Sequence, residues 1–247
     1  MTTIGAELVQ PSPLWAAKSA YAFSARAAGR GLTRVGVLGT DPPPVRRRVR
    51  HWAYSLTKVH DSLAIAELDV PWWTYDAIAA VTASLEAHPR PVRVFEYGSG
   101  ASTLWLAARA DEVHSVEHHR GFGEMMLAEL AGLEHVTLRI VEPVESSDPV
   151  VPSAKEGHRG LDFASYVAVI DDVEGDFDLI VVDGRAREAC LERARSRLAA
   201  GGIIVFDNSA RRRYRRAISR SGMAERRFFG LTPTLPYPEC TSLLRSS

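Results

Sequence analysis

Short apolar runs alternate along this chain with stretches in which apolar positions recur every three or four residues. The runs at 92–97, 112–117, 136–141, 178–183 and 202–207 read as buried strands. Helical spacing at about 102–110, 119–131, 162–171, 187–199 and 209–221 fills the intervals and follows the last run. This alternation predicts an α/β fold with a parallel sheet flanked by helices. Before the first strand, Pro71-Trp72-Trp73-Thr74-Tyr75-Asp76 marks a helix start, with Thr74 as N-cap and Asp76 in the first turn. The paired tryptophans suit a lid or ligand wall, or simple packing of at least one of them.

Residues 1–70 read as a helical extension and 71–247 as the main domain. Helical patterning runs from about Ser12 to Ala28, breaks at Gly29-Arg30-Gly31 and again at Asp41-Pro42-Pro43-Pro44, and returns from Val45 to about Ala66. That last segment carries Trp52, Tyr54, Leu56 and Val59, and serves as a cover over a cleft, a homodimer contact or a packing layer. Glu142 to Gly160 is a long Pro- and Gly-containing connection of the kind that forms lids or flexible linkers. Lys155 and His158 lie in it and are given no catalytic role.

Chemistry concentrates first at Val94-Phe95-Glu96-Tyr97-Gly98-Ser99-Gly100-Ala101-Ser102-Thr103. An apolar run ends in an acid and a Gly-x-Gly turn, then enters an amphipathic segment. Glycines let a ligand approach the backbone, and Ser102 or Thr103 can cap the following helix. A dinucleotide fingerprint would place its third glycine at position 103, where this chain has Thr. Glu117 ends the next strand, about 20 residues beyond the turn, the separation that sets an acid beside a ribose. Together these point to adenosine.

Glu96-Tyr97-Gly98-Ser99-Gly100, Glu117, Phe177-Asp-Leu-Ile-Val-Val-Asp183-Gly184 and Gly201-Gly-Ile-Ile-Val-Phe-Asp207-Asn208 together resemble a class I S-adenosylmethionine-dependent methyltransferase, distantly similar to the catechol O-methyltransferase group. The resemblance runs from about Val70 to the C-terminus. It implies a Rossmann-like seven-stranded, mostly parallel sheet, with Arg226–Leu231 and Thr241–Arg245 supplying the last two strands, one antiparallel. It implies S-adenosylmethionine as cofactor, with Glu96, Gly98 and Gly100 at its methionine end and Glu117 on the ribose; His118 and His119, which follow Glu117, either contact the adenine or hydrogen-bond at a helix start. Ser99, Ser102 and Thr103 complete the cofactor set. Asp183 is the catalytic candidate, and Asp183, Asp207 and Asn208 are the candidate ligands for Mg²⁺.

That group carries a lysine shortly after the first aspartate, whereas this chain has Gly184-Arg185-Ala186-Arg187. Three readings of the acids stand open: a Mg²⁺ site, a metal-free aspartate base, or strand-end acids that cap helices and position arginines. Arg185 and Arg187 either neutralise Asp183 or grip an anionic substrate, and pairing with arginine would weaken Asp183 as a base.

The chain has 247 residues and no formal net charge, with 46% hydrophobic and 24% charged residues, which fits one α/β domain with an appendage. Charge is uneven, with basic runs at Arg46–Arg50 and Arg211–Arg216. The second falls in the helix after the fifth strand, where some arginines would be solvated and others paired. An isoelectric point of about 7.1 does not support a dedicated nucleic-acid binder. Cys190 and Cys240 read as buried thiols. No signal peptide or membrane span is read, so the expected location is cytoplasmic. The function expected is methyl transfer to an oxygen or nitrogen of a small-molecule acceptor. Methylation of RNA or another polyanion, and cofactor binding without turnover, are the competing readings.

Overall fold

The computed structural model describes Gly39 and residues 41–58, 67–155 and 157–246. The helical patterns at 12–28 and 59–66 lie outside the described residues. Helix α1 (Arg48–Ser55) ends in a 3-10 turn, Leu56–Lys58. Next come α2 (Tyr75–Ala87), β1 (Arg93–Tyr97), α3 (Ala101–Ala107), β2 (Glu112–Glu117), α4 (Arg120–Glu129) and β3 (Val136–Ile140). A two-stranded clip, β4 (Val144–Glu145) and β5 (Leu161–Asp162), leads to α5 (Ala164–Ala168). Then follow β6 (Phe177–Val182), α6 (Arg187–Arg195), β7 (Leu198–Phe206), α7 (Arg212–Arg220), β8 (Ala224–Gly230) and β9 (Glu239–Arg245).

Seven strands form one sheet in the order β3-β2-β1-β6-β7-β9-β8. Only β9 runs against its neighbours, β7 and β8. This is the Rossmann-like seven-stranded, mostly parallel sheet that the sequence resemblance implies. Phe95, Tyr97, Ile180, Val182, Ile204 and Phe206 pack into one core with α5 to α7, and Val94, Leu179, Val181, Ile203 and Val205 pack into another with α2 and α3. Strands buried on both faces explain why these segments are continuous apolar runs instead of alternating ones. Edge strand β3 instead alternates half-buried and exposed residues.

The two tryptophans divide as packing and wall. Trp73 is buried with its ring 5.6 Å from that of Trp105, while Trp72 stays open to the cavity described below. Thr74 does cap α2, accepting from the Ala77 N–H. Segment 45–58 is a packing layer: Tyr54 joins the core, His51 Nδ1 lies 2.6 Å from the Tyr75 hydroxyl, and Ser55 Oγ accepts from the Thr234 N–H at 2.8 Å. Cys190 and Cys240 are buried free thiols.

Some boundaries shift for local reasons. The run expected as a strand from 202 begins at Leu198, which pairs with Phe177 across an irregularity in the register. That ends the preceding helix at Arg195 instead of 199. The last helix starts at Arg212, not 209, because Asn208 takes a left-handed conformation (φ +50°) and the Ser209 N–H bonds to Cys240. The 142–160 connection is pinned: the Asp162 carboxylate accepts from the Val150, Val151 and Ala164 N–H groups.

Between β1 and β6 the connections leave in opposite directions, opening a crevice at the strands' carboxyl ends. Gly98 has φ +98°, and a Cβ there would lie 2.7 Å from the Gly184 Cα. Gly98→Ala is expected to cost about 2 kcal/mol or more in urea unfolding, because strain and collision combine. Gly100 has extended backbone and open space, so Gly100→Ala should stay within about 0.5 kcal/mol. Equal losses for the two would refute this account of the turn.

Candidate active site

The Gly-x-Gly turn is held from below by Glu96. Its buried carboxylate accepts hydrogen bonds from the Ser102, Thr103 (2.6 Å) and Ser115 (2.8 Å) hydroxyls. Thr103 Oγ1 also accepts from the Gly100 N–H at 2.9 Å, so the threonine in the third-glycine position ties turn to strand. Burial raises the Glu96 carboxyl to about 7 despite these three donors. Glu96 and Thr103 therefore sit behind the turn, while Gly98, Ser99, Gly100 and Ser102 face the cavity.

Glu117 ends β2 beside that turn. One carboxylate oxygen accepts from the Ser99 N–H (3.2 Å) and hydroxyl (3.3 Å), and the other from the backbone N–H groups of His118 and His119. His118 Nδ1 lies 2.7 Å from the same carboxylate. Burial opposes ionisation of Glu117, but the donors, His118 foremost, outweigh it and hold the carboxyl below its ordinary value. The acid is thus an anion at neutral pH. His119 caps α4, accepting from the Phe122 N–H, and both histidines line the cavity.

At the ends of β6 and β7 the decisive side chain is Arg187. Its guanidinium donates to the carbonyls of Asp183 (2.6 Å), Gly184 (3.1 Å) and Asp207 (2.6 Å), and to the Asp183 carboxylate (2.6 Å) and Asn208 Oδ1 (3.3 Å). Asp207 Oδ1 also accepts from the Thr241 hydroxyl at 2.8 Å. Of the three groups read as Mg²⁺ ligands, the Asp183 carboxylate and Asn208 Oδ1 are thus both taken by the Arg187 guanidinium. Among the described residues, no group of three His, Cys, Asp or Glu side chains is arranged to hold a metal.

Burial pushes Asp183 above its ordinary value, against the pull of Arg187 and Arg185. Burial and the neighbouring Asp183 charge push Asp207 up to about 7. The weakening of Asp183 expected from an arginine partner is thus present but outweighed by burial. Asp183 keeps about 20% of its side chain exposed.

These groups surround one cavity of about 1100 Å³ at the switch point of the sheet. Lys155 and His158 line it too, with the His158 ring 5.7 Å from that of His118. Sequence reasoning missed the opposite wall: Thr234, Leu235 and Tyr237 between β8 and β9, and Arg211 and Arg213 at the start of α7. The arginine run was the available signal. No local pattern marked the other three.

Residues 95–209 match the family described as "Methyltransferase domain". No curated protein matches the chain. A methyltransferase-like protein from Silicibacter pomeroyi DSS-3 is 23% identical, with 68% of this chain and 87% of that one covered at a TM-score of 0.41. Precorrin-6y C5,15-methyltransferase from Geobacter metallireducens GS-15 is 16% identical, with 71% and 91% covered at 0.45. A putative methyltransferase from Streptococcus mutans, solved in complex with SAH, is 10% identical, with 67% and 94% covered at 0.40. The matched stretch runs from β1 to just beyond β7, the part of the sheet that carries the glycine turn, Glu117, Asp183 and Asp207.

Proposed function

We propose that the protein transfers a methyl group from S-adenosylmethionine to an oxygen, or a nitrogen, of a small-molecule acceptor. The observation that carries this reading is the single cavity shared by the glycine turn, Glu117 and Asp183. Its volume of about 1100 Å³ exceeds the ~300–1,000 Å³ of a typical small-ligand pocket, leaving room for an acceptor beside a cofactor. Gly98, Ser99, Gly100 and Ser102 would hold the methionine end, Glu117 would accept from the ribose hydroxyls, and His118 would face the adenine. Glu96 and Thr103 act by fixing the turn. Bound there, the cofactor supplies a methyl group on a positively charged sulfur, open to in-line displacement.

Asp183 is the base in this reading. Arg187 fixes one of its oxygens, and the side chain remains partly open to the cavity. Asp183 would take the acceptor's O–H or N–H proton, freeing an electron pair for the methyl group that the bound cofactor would supply, with sulfur as the leaving group. Burial holds the Asp183 carboxyl above its ordinary value, which makes it a stronger base than an exposed aspartate. No step runs through Mg²⁺, because the residues do not fit it. The polyanion reading loses support from part of the arginine run, since Arg215 is paired with Glu225 at 2.7 Å.

Calorimetric titration with S-adenosylhomocysteine should show binding by the wild type. Glu117→Ala should weaken it by tenfold to a hundredfold, the loss of ~1.5–3 kcal/mol expected for a hydrogen bond to a charged group. Absence of binding by the wild type would overturn the cofactor assignment. Once an acceptor is in hand, Asp183→Asn should lower kcat by ~10²–10⁴-fold. Because burial raises the Asp183 carboxyl, kcat/KM should fall on acidification at a higher pH than an exposed aspartate would give. A flat profile, or a variant within threefold of wild type, would remove Asp183 as the base.

A further inference from the structure

Resting on the methyltransferase reading above, we propose that the acceptor is a small carboxylic acid whose carboxylate is received by Arg185, with Arg211 and Arg213 beside it, on the β6 and β7 side of the cavity. Four arginines line that side, and they are not equivalent. Arg187 is saturated by carbonyls and by Asp183. Arg185 is not: its one hydrogen bond is a long contact of 3.4 Å to the Gly184 carbonyl, and its Nε is buried without a partner. No carboxylate among the described residues lies within ion-pair distance of it.

A largely buried guanidinium with an unfilled donor is unfavourable unless an anion completes it. Burial, with repulsion from Arg187, weakens the hold of Arg185 on its proton, as expected of a cation short of counter-charge. Its neighbours are loosely committed as well. Arg211 is held by Glu239 only at 3.6 Å, and the Arg213 guanidinium lies 4.8 Å from the centre of the Tyr214 ring. An arriving anion can recruit both without breaking a close ion pair.

The charge available fits a monoanion. Asp183 and Asp207 stand at the same end, so a doubly charged phosphate would face two acids, whereas a carboxylate matches the fork of one guanidinium. Trp72 and Tyr237 line the same cavity with exposed ring surface and offer apolar faces to the body of the acceptor. Held this way, the acid would present a hydroxyl or amine to Asp183.

Protein saturated with S-adenosylhomocysteine should be titrated with 4-hydroxybenzoate, 4-hydroxybenzamide and 4-hydroxyphenyl phosphate, following ligand NMR signals. The benzoate should bind at least tenfold tighter than the amide. Arg185→Gln should erase that preference while keeping its melting temperature and its S-adenosylhomocysteine affinity within threefold, and Arg213→Gln should reduce the preference at least threefold. Equal binding of acid and amide, no binding of either, or a preference that survives Arg185→Gln would overturn the proposal. So would a tenfold tighter phosphate, or a tenfold loss of S-adenosylhomocysteine in Arg185→Gln, which would give Arg185 to the cofactor's own carboxylate. Failure of the wild type to bind S-adenosylhomocysteine would sink the underlying methyltransferase reading instead.

Discussion

The cavity exists because two strand-end turns meet backbone to backbone. Gly98 follows β1 and Gly184 follows β6, and side chains at either position would collide: a Cβ on Gly184 would come within 2.0 Å of the Tyr166 hydroxyl. The Asp183 N–H bonds to the Tyr97 carbonyl, and the Gly98 N–H to that of Val116, so three adjacent strand ends are locked at one level. Glu96 then holds the first turn from behind. Every proposed contact to cofactor and acceptor inherits its position from this joint, which demands small residues for steric reasons before any ligand is considered.

Arg187 gives the second half of the site its character. A guanidinium that satisfies three carbonyls and one carboxylate closes the ends of β6 and β7 much as a divalent cation would, yet it is covalently part of α6. It differs from a metal in offering no open coordination position. It orients Asp183 and offsets charge at two buried acids, and in the proposed reading acceptor recognition passes to groups around it. Buried ion pairs of this kind bring less net stability than their short distances suggest, since both charges leave water. Their value here is geometric.

Much of the architecture was legible because buried parallel strands write themselves as unbroken apolar runs, and Glu96, the glycines and Glu117 stand at spacings set by the βαβ unit. Boundaries were less legible where backbone conformation decided them, as at Asn208 and in the irregular pairing of Leu198. The site was legible residue by residue but not in its partnerships. Asp183, Asp207 and Asn208 do converge, as strand-end positions imply. That Arg187 would lie among them depends on a left-handed Ala186 starting α6 and a side chain folding back over the strand ends, which no linear spacing encodes. The wall from Thr234 to Tyr237 was illegible because it belongs to an irregular link between β8 and β9.

That same wall is joined to the far end of the chain. The Trp52 indole donates to the Leu235 carbonyl at 2.9 Å, and Ser55 accepts from the Thr234 N–H, so α1 is bolted to residues lining the cavity. Thermodynamic linkage runs both ways across such a joint. A ligand that orders 234–237 must also protect the amides of α1 from exchange with solvent, and trimming the chain before residue 70 would loosen one side of the pocket while leaving the glycine turn and Glu117 intact. The segment 41–58 is therefore part of the pocket's rigidity, although none of its residues lines the cavity.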